Sequence, residues 1–343
     1  MNRPRRVAAA LALLISCAAC SHGTVEGRAA PAAAAASGLF AAPQPWTKDV
    51  SGLAPSARSD AVIAALTRLG GWGNGNRLQT DFSMPLLVAD AATPRGTITA
   101  PADGYCGDGP DCDPVPLDMP IPADGNAEGN ADYTCNTSTD DCHVLVVDTT
   151  ERRLYELYNS TRSGDAHTAR GAFVWDLEKA YPDAPRGEQC TSADAAGFPI
   201  AGLLPTADGV AAGAVPHALR LILPNDRMKS GVYVHPASHA GGPTSDNPDA
   251  PPYGARFRLK AAFDETPFND AERVILRALK TYGMLLSDGG EIALTFADDR
   301  HSTATWATLG VDAQSFAAIA PESFEVVDLG PEIPLTFACA RNP

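Results

Sequence analysis

The sequence predicts a mainly β fold: a jelly-roll-like β-sandwich with one packed helix, preceded by an irregular, disulfide-stapled N-terminal segment. Three observations predict it. Nine short runs rich in β-branched and aromatic residues, separated by turn signals, fill the C-terminal part of the chain. Only one strongly amphipathic helix interrupts them. No repeat of fixed period is present, which argues against a propeller or a solenoid.

The runs are residues 144–148, 154–158, 172–177, 219–223, 231–235, 256–262, 284–287, 292–296 and 324–328. The helix starts after Asn269, whose reciprocal capping partner is Glu272, and ends at Gly283. Val274, Ile275, Ala278, Leu279 and Tyr282 form its apolar face, which packs on one face or end of the sheets. This β domain is assigned to residues 141–343. Ahead of it, residues 46–140 carry one helix signal, with Ser59 as cap and an apolar stretch running to Gly70. Residues 101–132 are dense in proline, glycine and aspartate, which favours turns over regular elements.

The N-terminus reads as a targeting device. Arg3, Arg5 and Arg6 precede an apolar run, residues 7–15, of signal-peptide length and too short to span a bilayer. Leu14-Ile15-Ser16-Cys17 resembles the lipobox of bacterial lipoproteins, so residues 1–16 are read as signal peptide and Cys17 as the lipidated residue. Cleavage before Cys20 is the alternative. Residues 17–45, rich in alanine, glycine and proline, lack any apolar period and are expected to form a flexible stalk. The chain is thus expected outside the cytoplasm, held by its lipid at the bacterial outer membrane or cell envelope.

Cysteine usage agrees with export. Of the eight cysteines, Cys106, Cys112, Cys135, Cys142, Cys190 and Cys339 lie beyond the signal, an even set that reads as disulfides. The local loops 106–112 and 135–142 are the cheapest pairings and leave Cys190 with Cys339, although spacing alone leaves the connectivity open. A metal reading with Cys112, Cys135, Cys142 and His143 as ligands lacks the spacing of zinc sites. The acidic loop 108–113 lacks EF-hand spacing. The net charge of −15 excludes nucleic acid as a partner, because phosphate binding needs a basic footprint.

Several segments carry a resemblance. They are HVLVVD at 143–148, LYELY at 154–158, TSADAAG at 191–197, HALR at 217–220, HPASH at 235–239, RLKA at 258–261 and VILRALKTYG at 274–283. They resemble a family of exported proteins of uncertain biochemical function. The resemblance covers most of residues 143–330 and implies one shared domain, but no reaction. This chain departs from it in its extra cysteines and in a longer insert between Asp176 and Cys190.

Chemistry is therefore read from residue types. Glycoside hydrolysis needs two carboxyl groups flanking one bond. Strand alternation puts Leu154, Glu156 and Tyr158 on one face, where apolar neighbours raise the Glu156 pKa toward that of a general acid. A structural pairing of Glu156 with Arg152 or Arg153 is the competing reading. Asp176 follows Trp175, an indole that either stacks on a sugar or belongs to the core. Asp194, in a turn-like loop, holds a carboxylate over the site or caps a helix. His217, Tyr158 and Arg220 supply a lyase variant, in which arginine neutralises a uronate carboxylate and histidine or tyrosine moves the proton. His235 and His239 are expected to contact substrate; with His217 they show no recognised metal spacing, so neither metal nor cofactor is expected. No G-x-S-x-G elbow is present. The expected function is a carbohydrate-active enzyme, glycoside hydrolase or polysaccharide lyase, acting on polysaccharide or oligosaccharide. The alternative is a non-catalytic envelope lipoprotein that binds glycan or protein.

Overall fold

The computed structural model describes residues 38–102, 104 and 109–342. Cys17, Cys20 and Cys106 lie outside the described residues, as do the signal peptide and most of the expected stalk.

The strands run β1 (Thr80–Met84), β2 (Leu86–Ala89), β3 (Arg95–Thr99), β4 (Leu117–Pro120), β5 (Val144–Asp148), β6 (Arg153–Ser163), β7 (Ala166–Asp176) and β8 (Leu219–Leu223). After them come β9 (Val232–Tyr233), β10 (Arg256–Leu259), β11 (Met284–Gly289), β12 (Leu294–Ala297), β13 (Phe324–Val327) and β14 (Ile333–Pro334). One six-stranded sheet has the order β1-β12-β8-β11-β10-β13; a second has β2-β5-β6-β7-β3-β4. Strands β9 and β14 form a small separate pair.

The fold is mainly β, and each predicted run contains a strand. The pairing differs from a jelly roll, which is built from antiparallel strands. Here β1 with β12, β8 with β11, β2 with β5 and β3 with β7 are parallel, so both sheets are mixed. A parallel pair needs a long crossover between its strands, and period-2 patterning carries no sign of that. The lead is also more regular than expected. β1 joins the first sheet, while β2, β3 and β4 extend the second. Pro85 alone separates β1 from β2; it has no N–H to give a ladder, so the chain leaves one sheet there and enters the other.

Alternation sorts strands β5, β6 and β7 of the second sheet into two cores. Leu145, Val147, Leu154, Phe173 and Trp175 join Leu219, Leu221, Phe257 and Leu285 of the first sheet in the main apolar cluster. Val144, Val146, Tyr155 and Leu157 face the other way, into a smaller cluster with Met119 and Tyr133.

Helix α1 (Ser59–Arg68) buries Val62, Ile63, Ala65 and Leu66. Ser59 is its first helical residue and not its cap; its Oγ accepts from the Val326 N–H of β13 at 2.9 Å. After the short helix α2 (Ala207–Ala211) comes α3 (Asp270–Thr281), which carries the predicted capping box: Asn269 accepts from the Glu272 N–H and Glu272 accepts from the Asn269 N–H. Its Val274, Ile275, Ala278 and Leu279 are buried, as the apolar face requires. Buried Arg256 ties the lead to the sheet by donating to the carbonyls of Pro45 at 2.6 Å and Lys48 at 3.3 Å.

Disulfides join Cys135 to Cys142 and Cys190 to Cys339, so the cysteine–histidine zinc reading falls. Cys112 is disulfide-bonded as well. The second bridge anchors a largely buried, mostly irregular stretch, residues 177–218, that connects the second sheet to the first.

Candidate functional site

In the β6–β7 register Glu156 lies opposite Phe173, which sets Trp175 on the same face. The Glu156 carboxylate is fully buried; it accepts from the Trp175 indole N–H at 3.0 Å and from the Ala201 N–H at 2.9 Å. Burial raises its pKa to about 7 against both of those bonds. Neither neighbouring arginine pairs with it, since Arg152 meets Glu178 at 2.6 Å and Arg153 meets Asp176 at 3.7 Å. Trp175 is core. It is fully buried with its ring 5.1 Å from that of Tyr181, so no sugar reaches it. Asp176, one residue further, turns to the opposite face and does not join Glu156 or Asp194, which corrects the expected carboxylate set.

The first sheet supplies the charged centre. From β8, Arg220 Nη2 donates to Asp194 Oδ1 at 3.1 Å and to Asp288 Oδ2 at 2.6 Å, and Nη1 donates to Thr295 Oγ1 at 3.1 Å. Asp194 sits in a turn closed by the Gly197 N–H on its carbonyl at 2.9 Å. Gly197 has φ +85°, and a Cβ there would come within 2.1 Å of Ser238 Oγ, so the turn requires glycine. Asp288 lies at a register irregularity in β11, a local break that re-aims a side chain. Its Oδ1 accepts from the Gly289 N–H at 2.8 Å.

His143, immediately before β5, completes the cluster. Nδ1 faces Glu128 Oε2 at 2.7 Å and Nε2 faces the Ala193 carbonyl at 3.1 Å. Both partners only accept, so both ring nitrogens carry protons and the ring is an imidazolium. Burial opposes that charge, but Glu128 outweighs it and holds His143 at about 9. Reciprocally, burial would raise Glu128, but the charge and hydrogen bonds of His143 hold it at about 2. Asp194 is raised to about 7, with burial outweighing Arg220. Burial also raises Asp288, against Arg220 and the Gly289 N–H.

Exposure separates the members. Glu156 and Asp194 are fully buried, whereas the side chains of Asp288 and Glu128 are 24% and 20% exposed. Half-buried Tyr158 stands with its ring 5.7 Å from His143; beyond burial, the charges of Asp141 and Asp288 raise its pKa. Asp288, Glu128, Asp141 and Tyr158 therefore form the accessible edge of a charged chain that continues inward through Arg220. Glu128, Asp141 and His143 bring ligand atoms within 4.8 Å of one another, as a divalent cation would need.

The other expected residues lie elsewhere. His217 lines a pocket of about 130 Å³ with apolar walls including Leu86, Val147, Leu204 and Val215, and burial lowers its pKa to about 4. That pocket contains neither Tyr158 nor Arg220, so the lyase trio is not assembled in one cavity. His235 pairs with Glu188 at 2.7 Å, and His239 bonds the Ala195 carbonyl at 2.9 Å. Sequence reasoning passed over Glu128 and Asp288. The one local sign was Ser287-Asp288, polar residues closing an apolar run read as a short strand.

Fold and site together define a mainly β protein whose two mixed sheets hold a cluster of carboxyl groups, an arginine and a histidine. No family model, curated protein or solved structure matches the chain.

Proposed function

We propose that this chain is a carbohydrate-active enzyme of the cell envelope, a glycoside hydrolase whose acid and base are Asp288 and Glu128. The observation that carries the reading is the opposed environments of these two accessible carboxyl groups: burial raises one, while His143 keeps the other ionised at about 2. Carboxyl groups driven apart in this way are what acid–base cleavage of a glycosidic bond needs. Asp288 gives its proton to the glycosidic oxygen as the bond to the anomeric carbon breaks. Glu128 takes a proton from the water that adds to that carbon. Tyr158, whose ring stands 5.7 Å from that of His143 and whose pKa the charge of Asp288 raises, offers a hydroxyl at this edge. Fully buried Glu156 and Asp194 do not touch substrate in this scheme; Asp194 acts through Arg220 as a positioning residue. The envelope location rests on acylation of Cys17, and Cys17→Ser should move the protein out of the membrane fraction.

The test is incubation of the purified full chain with a panel of neutral and uronate polysaccharides, read by new reducing ends and by absorbance of unsaturated uronates. Reducing ends without unsaturated product support hydrolysis. Unsaturated product would replace hydrolysis with elimination. Glycan binding without any product would leave a binding protein.

A further inference from the structure

A second cavity, of about 290 Å³, shares no residue with the charged cluster; Arg153, Lys179, Arg186 and Arg341 line it together with Asp113 and Asp176. We propose that this cavity binds the anionic group of a ligand, a phosphate or a sugar-acid carboxylate. The inference is independent of the hydrolase reading.

Charge is the first support. Four cations face two carboxylates in a chain whose net charge is −15, so the local sign is reversed against the molecule as a whole. Both carboxylates are already engaged. Asp113 Oδ2 accepts from the Val174 N–H at 2.7 Å and from both terminal nitrogens of Arg186 at 3.2 Å, and Oδ1 accepts from Arg341 Nη2 at 3.0 Å. Asp176 Oδ1 accepts from the Glu178 N–H at 3.0 Å, and Arg153 lies 3.7 Å from Oδ2, too far for a hydrogen bond.

Arg186 is the second support. It is only 3% exposed, lies over the rings of Phe173 at 4.9 Å and Trp175 at 5.4 Å, and its buried Nε has no hydrogen-bond partner. Its positive charge, held in a largely buried setting at the cavity wall, attracts an entering anion more strongly than an exposed arginine would.

Preorganisation is the third. Arg341 belongs to the C-terminal tail, which the Cys190–Cys339 disulfide pins, along with bonds from the Ala340 N–H to the Glu188 carbonyl at 2.9 Å and from the Asn342 N–H to the Arg186 carbonyl at 3.0 Å. Its guanidinium is therefore held at the cavity before any ligand arrives. Arginine forks match the paired oxygens of carboxylate and phosphate alike, so the structure assigns the charge class and the titration separates its two sources.

The experiment is calorimetric titration of the purified full chain with sodium phosphate and, separately, with sodium glucuronate. Saturable one-to-one binding that weakens with added salt is expected for at least one of them. Arg153→Gln and Arg341→Gln, at side chains 44% and 33% exposed, should each weaken it while leaving the melting temperature in place. Loss of a charge-assisted contact predicts a weakening of about tenfold. Binding of phosphate alone identifies a phosphorylated ligand, and binding of glucuronate alone identifies a sugar acid. No saturable binding of either, or undiminished binding in the Arg153→Gln/Arg341→Gln double variant, overturns the inference.

Discussion

Trp175 donates its indole N–H to Glu156 at 3.0 Å inside the main core, and the second Glu156 oxygen accepts from the Ala201 N–H at 2.9 Å. Glu156→Gln therefore replaces one acceptor with an amide N–H₂ that faces another donor. An unmet buried donor costs roughly 1 to 3 kcal/mol, so the melting temperature should fall. Turnover on a confirmed substrate should persist wherever the variant stays folded. A loss of about 10²-fold in kcat at an unchanged melting temperature would return Glu156 to the reacting groups.

That bond also shows what was legible in the sequence. Period-2 alternation set Leu154, Glu156 and Tyr158 on one face, and they share it. Carried along β7, the same rule separates Trp175 from Asp176, so the misplaced aspartate was avoidable. The charged centre was not legible. Arg220 reaches Asp194 across 26 positions and Asp288 across 68, and each partner arrives on a different element. The parallel strand pairs were hidden for the same reason, because their register is set by long crossovers and not by local pattern. Strand and helix positions are local properties, which is why the nine runs and the Asn269–Glu272 cap were found.

Asp288→Asn keeps an acceptor toward only one of its two donors, Arg220 on Oδ2 or the Gly289 N–H on Oδ1, and removes the titrating proton. If Asp288 is the acid, kcat falls by about 10² to 10⁴-fold. Arg220 retains Asp194, so the stability loss should stay below the roughly 3 kcal/mol of breaking a buried ion pair outright. In the unsubstituted protein the rate should require ionised Glu128, at about 2, and fall on the alkaline side as Asp288 loses its proton. A pH–rate profile checks both limbs; an Asp288→Asn profile that keeps the alkaline limb and full rate sinks the assignment.

Stability should depend on pH in a direction set by the buried groups. Glu156 and Asp194 have folded pKa values raised to about 7 from the ordinary carboxylate range, and His143 is raised to about 9. A raised group contributes stability fully present below its unfolded pKa, roughly 4 for a carboxylate and about 6.5 for histidine, and lost as pH climbs through the folded value. Glu128, depressed to about 2, acts oppositely: its contribution is present above its ordinary value and lost as pH falls through about 2. His217 and His167, both lowered by burial to about 4, add stability as pH rises from about 4 to about 6.5 and offset the two carboxylates there. The melting temperature should therefore change little over that span and decline from about pH 6.5 to about pH 9 as His143 loses its proton. Calorimetry across that range, repeated at high salt to screen the self-repulsion of a chain with net charge −15, is the check. A flat or rising profile from neutral to alkaline pH would contradict these protonation states.

The two resolved disulfides should contribute unequally, because they close loops of very different length. Cys190 and Cys339 are 149 positions apart, whereas Cys135 and Cys142 are 7 apart. Restricting the unfolded ensemble then stabilises by about 5 kcal/mol in the first case and about 2 kcal/mol in the second. Paired serine variants, Cys190→Ser/Cys339→Ser and Cys135→Ser/Cys142→Ser, test this by their urea unfolding midpoints. The long-range variant should show the larger loss, and it should also release the tail, whose remaining ties include the Ala340 and Asn342 backbone bonds. Limited proteolysis reads that release as early trimming at the C-terminus, with the rest of the chain intact. Equal losses in the two variants would mean that contacts around the cysteines, and not loop closure, carry the stabilisation. A tail that stays protected without its disulfide would show that those backbone bonds hold it alone.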